Sequence, residues 1–210
     1  VCSQGWTYLT RLEDEWGASW VFAKDNQRMF LMAAPLRPAT NPAGAAVALA
    51  GPYPGLVQQT FDVSRGAGTY AGPWPAVAHP PCGPWGRYHQ RCHQDASTGP
   101  EAVALVRRWG GVLEHPEFSK LWKACGMPAP GELPDAWGGW TLRIEQSAFG
   151  HVAPKPTWLY IVGATKIPKL PASVPDPGGR IELLSKTKRH LTPPALAEWL
   201  VELASSVPAR

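Results

Sequence analysis

Residues 76–93 read AVAHPPCGPWGRYHQRCH, and the fold turns on this stretch. The apolar run from Pro75 to Ala78 is predicted as a buried strand. Two consecutive prolines, Pro80-Pro81, remove two backbone donors and fix φ, so the strand must stop there and the chain must turn. Cys82 comes next, followed by Gly83, Pro84 and Gly86, none of which continues a strand or a helix comfortably. Open α/β sheets place their ligand crevices at the C-terminal ends of strands, so a thiol on a stiff turn there is the first candidate for chemistry.

Downstream, Ser97-Thr98-Gly99-Pro100-Glu101 is a helix-start signal, with a capping hydroxyl, an early proline and an acid in the first turn. A helix is predicted over Glu101–Trp109 with Val103, Leu105 and Val106 inward, stopped by Gly110-Gly111. Gly111–Pro116 (GVLEHP) reads as a second short strand. Strand, helix and strand form a βαβ unit, whose crossover brings both strand ends to one edge of the sheet. Cys82 and Glu114 are therefore predicted to face one crevice.

The rest of the chain is read around that unit. Residues 1–28 have weak helical spacing (Leu9, Leu12, Trp16, Trp20) and are expected to be an N-terminal extension, with Met29 as an alternative start; residues 29–210 are expected to form one α/β domain. Residues 33–46 read as linker, Ala46–Ala50 as a short strand and Gly51–Gly55 as a turn. Leu56–Val63 reads as a strand with Asp62 near its end, and 64–74 as a Gly-rich loop. A short helix is expected over Phe118–Cys125, strands over Trp140–Gln146 and Thr157–Val162, and a Pro-rich connection over 164–180. Ala195–Ser205 is predicted as an amphipathic helix with Leu196, Trp199, Leu200 and Leu203 on one face.

A chain of 210 residues can bury one sizeable core. Its 44% apolar and 17% charged content are globular values, and no apolar run approaches the ~20 residues of a membrane span. Pro 24 and Gly 21 together exceed a fifth of the chain, so regular elements should be short and loops long. The net charge of +4 is a mild bias toward polyanions, with the late cluster Lys166, Lys169, Lys186, Lys188 and Arg189 serving either as a solvated face or as a phosphate-contacting strip. Four irregularly spaced cysteines without a secretory signal suit a reducing cytoplasm.

Bland roles compete with chemical ones at each position. Cys82 is either a reactive thiol or a small buried turn residue. Glu114 either serves a site or pairs with Lys120 at a strand end. His79-x-x-Cys82 and His89-x-x-Cys92, with His93 to spare, have ligand types and spacing that suit zinc and would make a zinc-stabilised binding module; a closed site would consume the thiol, and the expectation is no metal. His115 and His151 read as histidines making ordinary hydrogen bonds near the crevice. Most of the eleven tryptophans read as core, and Trp85 is the one placed for base stacking.

The motif Pro-Pro-Cys after an apolar strand, then a helix, then Val-Leu-Glu-His-Pro, resembles the catalytic core of DNA cytosine-5 methyltransferases. The segment FGHVAPKPTWLYIVG, residues 149–163, resembles their later loop and strand, and Leu191–Leu196 faintly resembles their C-terminal helix. The wider pattern resembles phage and prophage proteins. The likeness spans roughly residues 56–205 and implies a compact Rossmann-like methyltransferase-type sheet with flanking helices. It further implies S-adenosylmethionine as cofactor, near Asp62 and Pro80, and DNA or a pyrimidine nucleotide as partner. Cys82 would add to C6 of a flipped base, its thiolate favoured by Arg87, Arg91 or a helix N-terminus, and Glu114 would hold the N3 edge. Pro81, Trp85, Arg87, His115 and Lys155 would line the substrate. The chain departs from that family by lacking Phe-x-Gly-x-Gly, by offering Lys155 where Arg-x-Arg is usual, and by leaving no room for a target-recognition domain. A catalytically inactive relative that binds nucleic acid through the same crevice is the alternative.

Overall fold

The computed structural model describes residues 29–32, 56, 59–62, 70–172 and 178–209. Its strands, in chain order, are β1 (Met29–Met32), β2 (Gln59–Asp62), β3 (Ala76–Ala78), β4 (Gly111–Pro116), β5 (Trp140–Glu145) and β6 (Pro156–Val162). Its helices are α1 (Thr98–Trp109), α2 (Leu121–Ala124), α3 (Lys186–His190) and α4 (Pro194–Ser205). The strands form one sheet in the order β2-β1-β3-β4-β6-β5. Only β3 and β4 run parallel, joined through α1 as a βαβ unit; the other neighbours are antiparallel, so the sheet is mixed.

The pleat sorts the core into two layers, because successive strand residues point to opposite faces. Val77, Val112, Leu159 and Ile161 pack against α4, which buries Leu196, Leu200 and Leu203 on its apolar stripe. Ala76, Ala78, Leu113, Tyr160 and Val162 pack on the other face, where Ala102, Val103 and Val106 of α1 and Leu121 and Trp122 of α2 cover them. Helices therefore flank both faces of the sheet. Burying each of these Leu side chains is worth roughly 2 kcal/mol.

Local chemistry sets the joints. Gly110 and Gly111 have φ of 77° and 116°, and a Cβ at 111 would run into the Ala76 backbone. Helix α1 starts at Thr98, three residues earlier than expected. The cap also differs: Ser97 offers no side-chain cap, and instead its N–H and hydroxyl donate to Asp95 at 2.8 and 2.9 Å. The helix expected over 118–125 is reduced to Leu121–Ala124. Six elements have no counterpart in the sequence expectations: β1, the short helix α3, and 3-10 turns at Gly83–Trp85, His89–Arg91, Gln146–Phe149 and Ile181–Leu183. The expectations for residues 1–28, 33–46 and 46–50 lie outside the described residues. No helix among the described residues is long and apolar enough to cross a membrane.

Candidate active site

The parallel register Ala78↔Leu113 sets the next residues, His79 and Glu114, side by side at the C-terminal rim of the sheet. Their side chains meet: His79 Nδ1 and Glu114 Oε2 are 2.9 Å apart. Glu114 Oε1 accepts from Gln146 Nε2 at 2.9 Å, and the same amide donates to Thr157 Oγ1 at 3.0 Å. Thr157 in turn donates to the Lys155 carbonyl at 3.1 Å. Gln146 opens the 3-10 turn Gln146–Phe149, which starts the return from β5 toward β6, with Gly150 left-handed at φ 94°. A hairpin thus carries its own polar residue back to the strand end of β4.

Burial opposes ionisation of Glu114, but the His79 hydrogen bond and the positive charge of Lys155, with smaller contributions from the His79 and His115 rings, outweigh it and hold the carboxyl at about 2. Glu114 is therefore a carboxylate at neutral pH. Cys82 sits at the head of the 3-10 turn Gly83–Trp85, its carbonyl accepting from the Trp85 N–H at 3.1 Å. Burial pushes the Cys82 thiol up, the nearby Glu114 charge pushes it further, and Lys155 pulls it back. Glu114 and Lys155 thus act on the Cys82 thiol with opposite sign.

Other expected site residues fall elsewhere. The cation acting on the thiol is Lys155 rather than Arg87 or Arg91, which sit by the Tyr88 ring at 5.8 and 6.0 Å. Trp85 packs its indole against Gly99 and Leu121, so it wedges the Cys82 turn onto α1 instead of presenting a stacking face. His115 is wholly buried on the opposite face of the sheet from Glu114, edge-on to Trp122. Neither of its ring nitrogens makes a hydrogen bond of good geometry, contrary to the ordinary bonding expected, and burial lowers it to about 4 against the opposing pull of the Glu114 charge and of the Pro81 backbone. His151 does bond as expected, to the Ala153 and Lys188 carbonyls. Pro80 and Pro81 are buried beneath the turn.

Zinc ligation does not form among the described residues: no three His, Cys, Asp or Glu side chains converge. His79 is held by Glu114, Cys92 Sγ lies 3.5 Å from Gln94 Oε1, and His89 contacts Lys120 Nζ. The residues assigned to S-adenosylmethionine lie on separate elements. Asp62 ends the edge strand β2, paired with Met29, two strands across the rim from β3, and Pro80 has no N–H to offer.

The rim is nearly closed, with His79 and Glu114 side chains 8% and 11% exposed. Two depressions among the described residues lie elsewhere, one beside Arg107, Cys125 and Trp137, the other beside Ile144, Phe149 and Leu170. Gln146 and Thr157 were not legible as site residues, and His79 was legible only as a metal ligand. The signal for all three is long-range pairing, which spacing along the chain does not carry. The chain matches no known protein-family model, no curated protein and no solved structure.

Proposed function

We propose that this protein modifies a pyrimidine base of DNA or of a nucleotide, in the manner of DNA cytosine-5 methyltransferases, on a compact Rossmann-like variant of the α/β fold. One observation carries the reading: the β3–β4 register brings the turn that bears Cys82 and the Glu114 carboxylate to the same rim of the sheet, where the Glu114 charge raises the Cys82 thiol. In the proposed step the Cys82 sulfur forms a bond to C6 of the base, and the C5=C6 π pair moves onto C5 and the ring. The thiol proton leaves to solvent as the bond forms, because burial keeps the resting group protonated. Glu114, oriented by His79 and Gln146, accepts a hydrogen bond from the N4 amino group and so fixes the base, and a proton taken up from solvent at N3 neutralises the charge that gathers on the ring during attack. The C5 nucleophile so created is what a one-carbon donor would require.

The closed rim and the upward-shifted thiol favour a second reading, an inactive relative that keeps the crevice for binding. Covalent trapping separates the two. Wild-type protein incubated with 5-fluorocytosine DNA should give an adduct stable to denaturation, and Cys82→Ser should give none. An absent wild-type adduct, or an equal one in Cys82→Ser, removes the nucleophile.

A further inference from the structure

The turn that carries Cys82 continues into an exposed surface that the proposed chemistry does not use. Two short 3-10 turns, Gly83–Trp85 and His89–Arg91, pack against each other and project Arg87, Tyr88 and Arg91 outward. Tyr88 is 68% exposed. The two guanidinium carbons sit 5.8 and 6.0 Å from its ring centroid, at the outer range of a cation–π contact, so neither is consumed by it. Residues 118–120 join the same surface. The Lys120 N–H donates to the Trp85 carbonyl at 2.9 Å, and its ammonium reaches the His89 ring at 3.2 Å. Two residues before it, Phe118 is 85% exposed, the second most exposed large apolar side chain among the described residues.

The charge is one-sided. Residues 83–94 hold Arg87 and Arg91 and no acid, and the carboxylate of Asp95, next in the chain, accepts from the Ser97 N–H and hydroxyl. The nearest carboxylate on the other segment, Glu117, is taken by Arg143 at 3.1 Å. Among the described residues, Arg87, Arg91 and Lys120 form no ion pair. Three unpaired cations attract a polyanion. Two exposed rings beside them decide which polyanion. Phosphate contacts alone would serve a duplex, whose bases are stacked away, whereas exposed aromatic faces offer a stacking partner only to bases already unpaired.

From this juxtaposition we infer that Arg87, Tyr88, Arg91, Phe118 and Lys120 form a docking surface for single-stranded nucleic acid, with the cations on the phosphates and the two rings under successive bases. The surface does not require Cys82 to be reactive. It prefers single strands to duplex and tolerates any base, since every base has a π face.

Fluorescence anisotropy of the full chain with a labelled oligothymidylate, and with a duplex of equal length, tests this. Oligothymidylate carries no cytosine, so binding is read apart from the base chemistry. It should bind several-fold or more tighter than the duplex. Tyr88→Ala with Phe118→Ala should weaken it by about ten-fold or more with the salt dependence intact. Arg87→Gln, Arg91→Gln and Lys120→Gln together should flatten the log–log salt slope by about 2, near 0.7 for each cation removed. Equal or tighter duplex binding, or indifference to loss of the rings, would reduce the surface to a general polyanion patch and overturn the proposal. Photocrosslinking of a bromodeoxyuridine oligomer to the wild type needs no variant; adducts mapped away from 87–91 and 118–120 would overturn it equally. Binding retained by Cys82→Ala while covalent trapping is lost shows that the two sites fail separately.

Discussion

Glu114 and His115 are neighbours in sequence and live in opposite surroundings, because the pleat sends one to the polar rim and the other into the α1–α2 layer. Both consequences appear in acid. The unfolded chain takes up the His115 proton near 6.5, while the folded protein refuses it until about 4. Across that window the unfolded state binds more protons, so stability falls as the pH drops through it. A depression of this size corresponds to roughly 3 kcal/mol. Glu114 acts in a lower window: its contribution is present above 4.5 and is lost as the pH falls toward 2. His115→Phe keeps an aromatic edge against Trp122 and removes the titration. The wild-type melting temperature should therefore decline from neutral pH to about 4, and the variant's should decline much less over that range, with the deeper acid loss left in both. Equal slopes above pH 4 would mean that folded His115 accepts its proton after all.

At the scale of elements, the Cys82 turn is seated on α1 by a glycine. Gly99 lies in the first turn of α1, where alanine would be favoured by about 1 kcal/mol. A Cβ there would stand 2.6 Å from Trp85 Nε1 and 2.8 Å from Leu121 Cδ1, too close for a rigid indole to yield. Overpacking of that kind costs about 1–3 kcal/mol, so the clash should win. Gly99→Ala should lower stability in urea titrations by about 1–2 kcal/mol. It should also speed alkylation of Cys82, mapped by peptide mass, because the displaced Trp85 drags the turn with it. A stabilised variant with unchanged alkylation would show that Trp85 does not anchor the turn. The β3–α1–β4 unit was legible because its signals are local: Pro80-Pro81 stop one strand, Gly110-Gly111 start the next, and apolar spacing fills α1. The partners of Glu114 were not legible. His79 reaches it through the register of two strands, and Gln146 through a hairpin closing 32 residues away. β1 has a similar reason: four residues between a polar run at 24–28 and an Ala- and Pro-rich stretch become a strand only by pairing with β2 and β3.

Across the whole molecule, short strands and two thin helical layers leave long connections to be tied down by polar bonds. The strongest tie is Asp135. Its Oδ2 accepts from Arg107 Nη2 at 3.0 Å and from the Tyr160 hydroxyl at 2.6 Å, and its Oδ1 accepts from the N–H groups of Trp137 and Gly139 at 3.0 and 2.9 Å. One carboxylate thereby joins α1, β6 and the connection that leads into β5. Arg107 completes the joint by stacking 3.8 Å over Trp137 and donating to the Cys125 carbonyl at 2.9 Å. Burial raises the Asp135 pKa, but bonds from Tyr160, Gly139, Arg107 and Trp137 outweigh it and lower the group below 3.8. Its contribution is thus present above 3.8 and fades below it. Asp135→Ala strands a guanidinium and a hydroxyl together, and losing such a network costs about 3 kcal/mol. Denaturant unfolding at neutral pH should record that loss, and limited proteolysis should cut between residues 126 and 139 first. Glu132→Ala, which loses only an exposed bond to the Ala129 N–H, should change stability by less than about 0.5 kcal/mol. If the two variants proved equally mild, the connection would be held by the packing of Trp137 and Arg107 alone, and the carboxylate would be incidental to it.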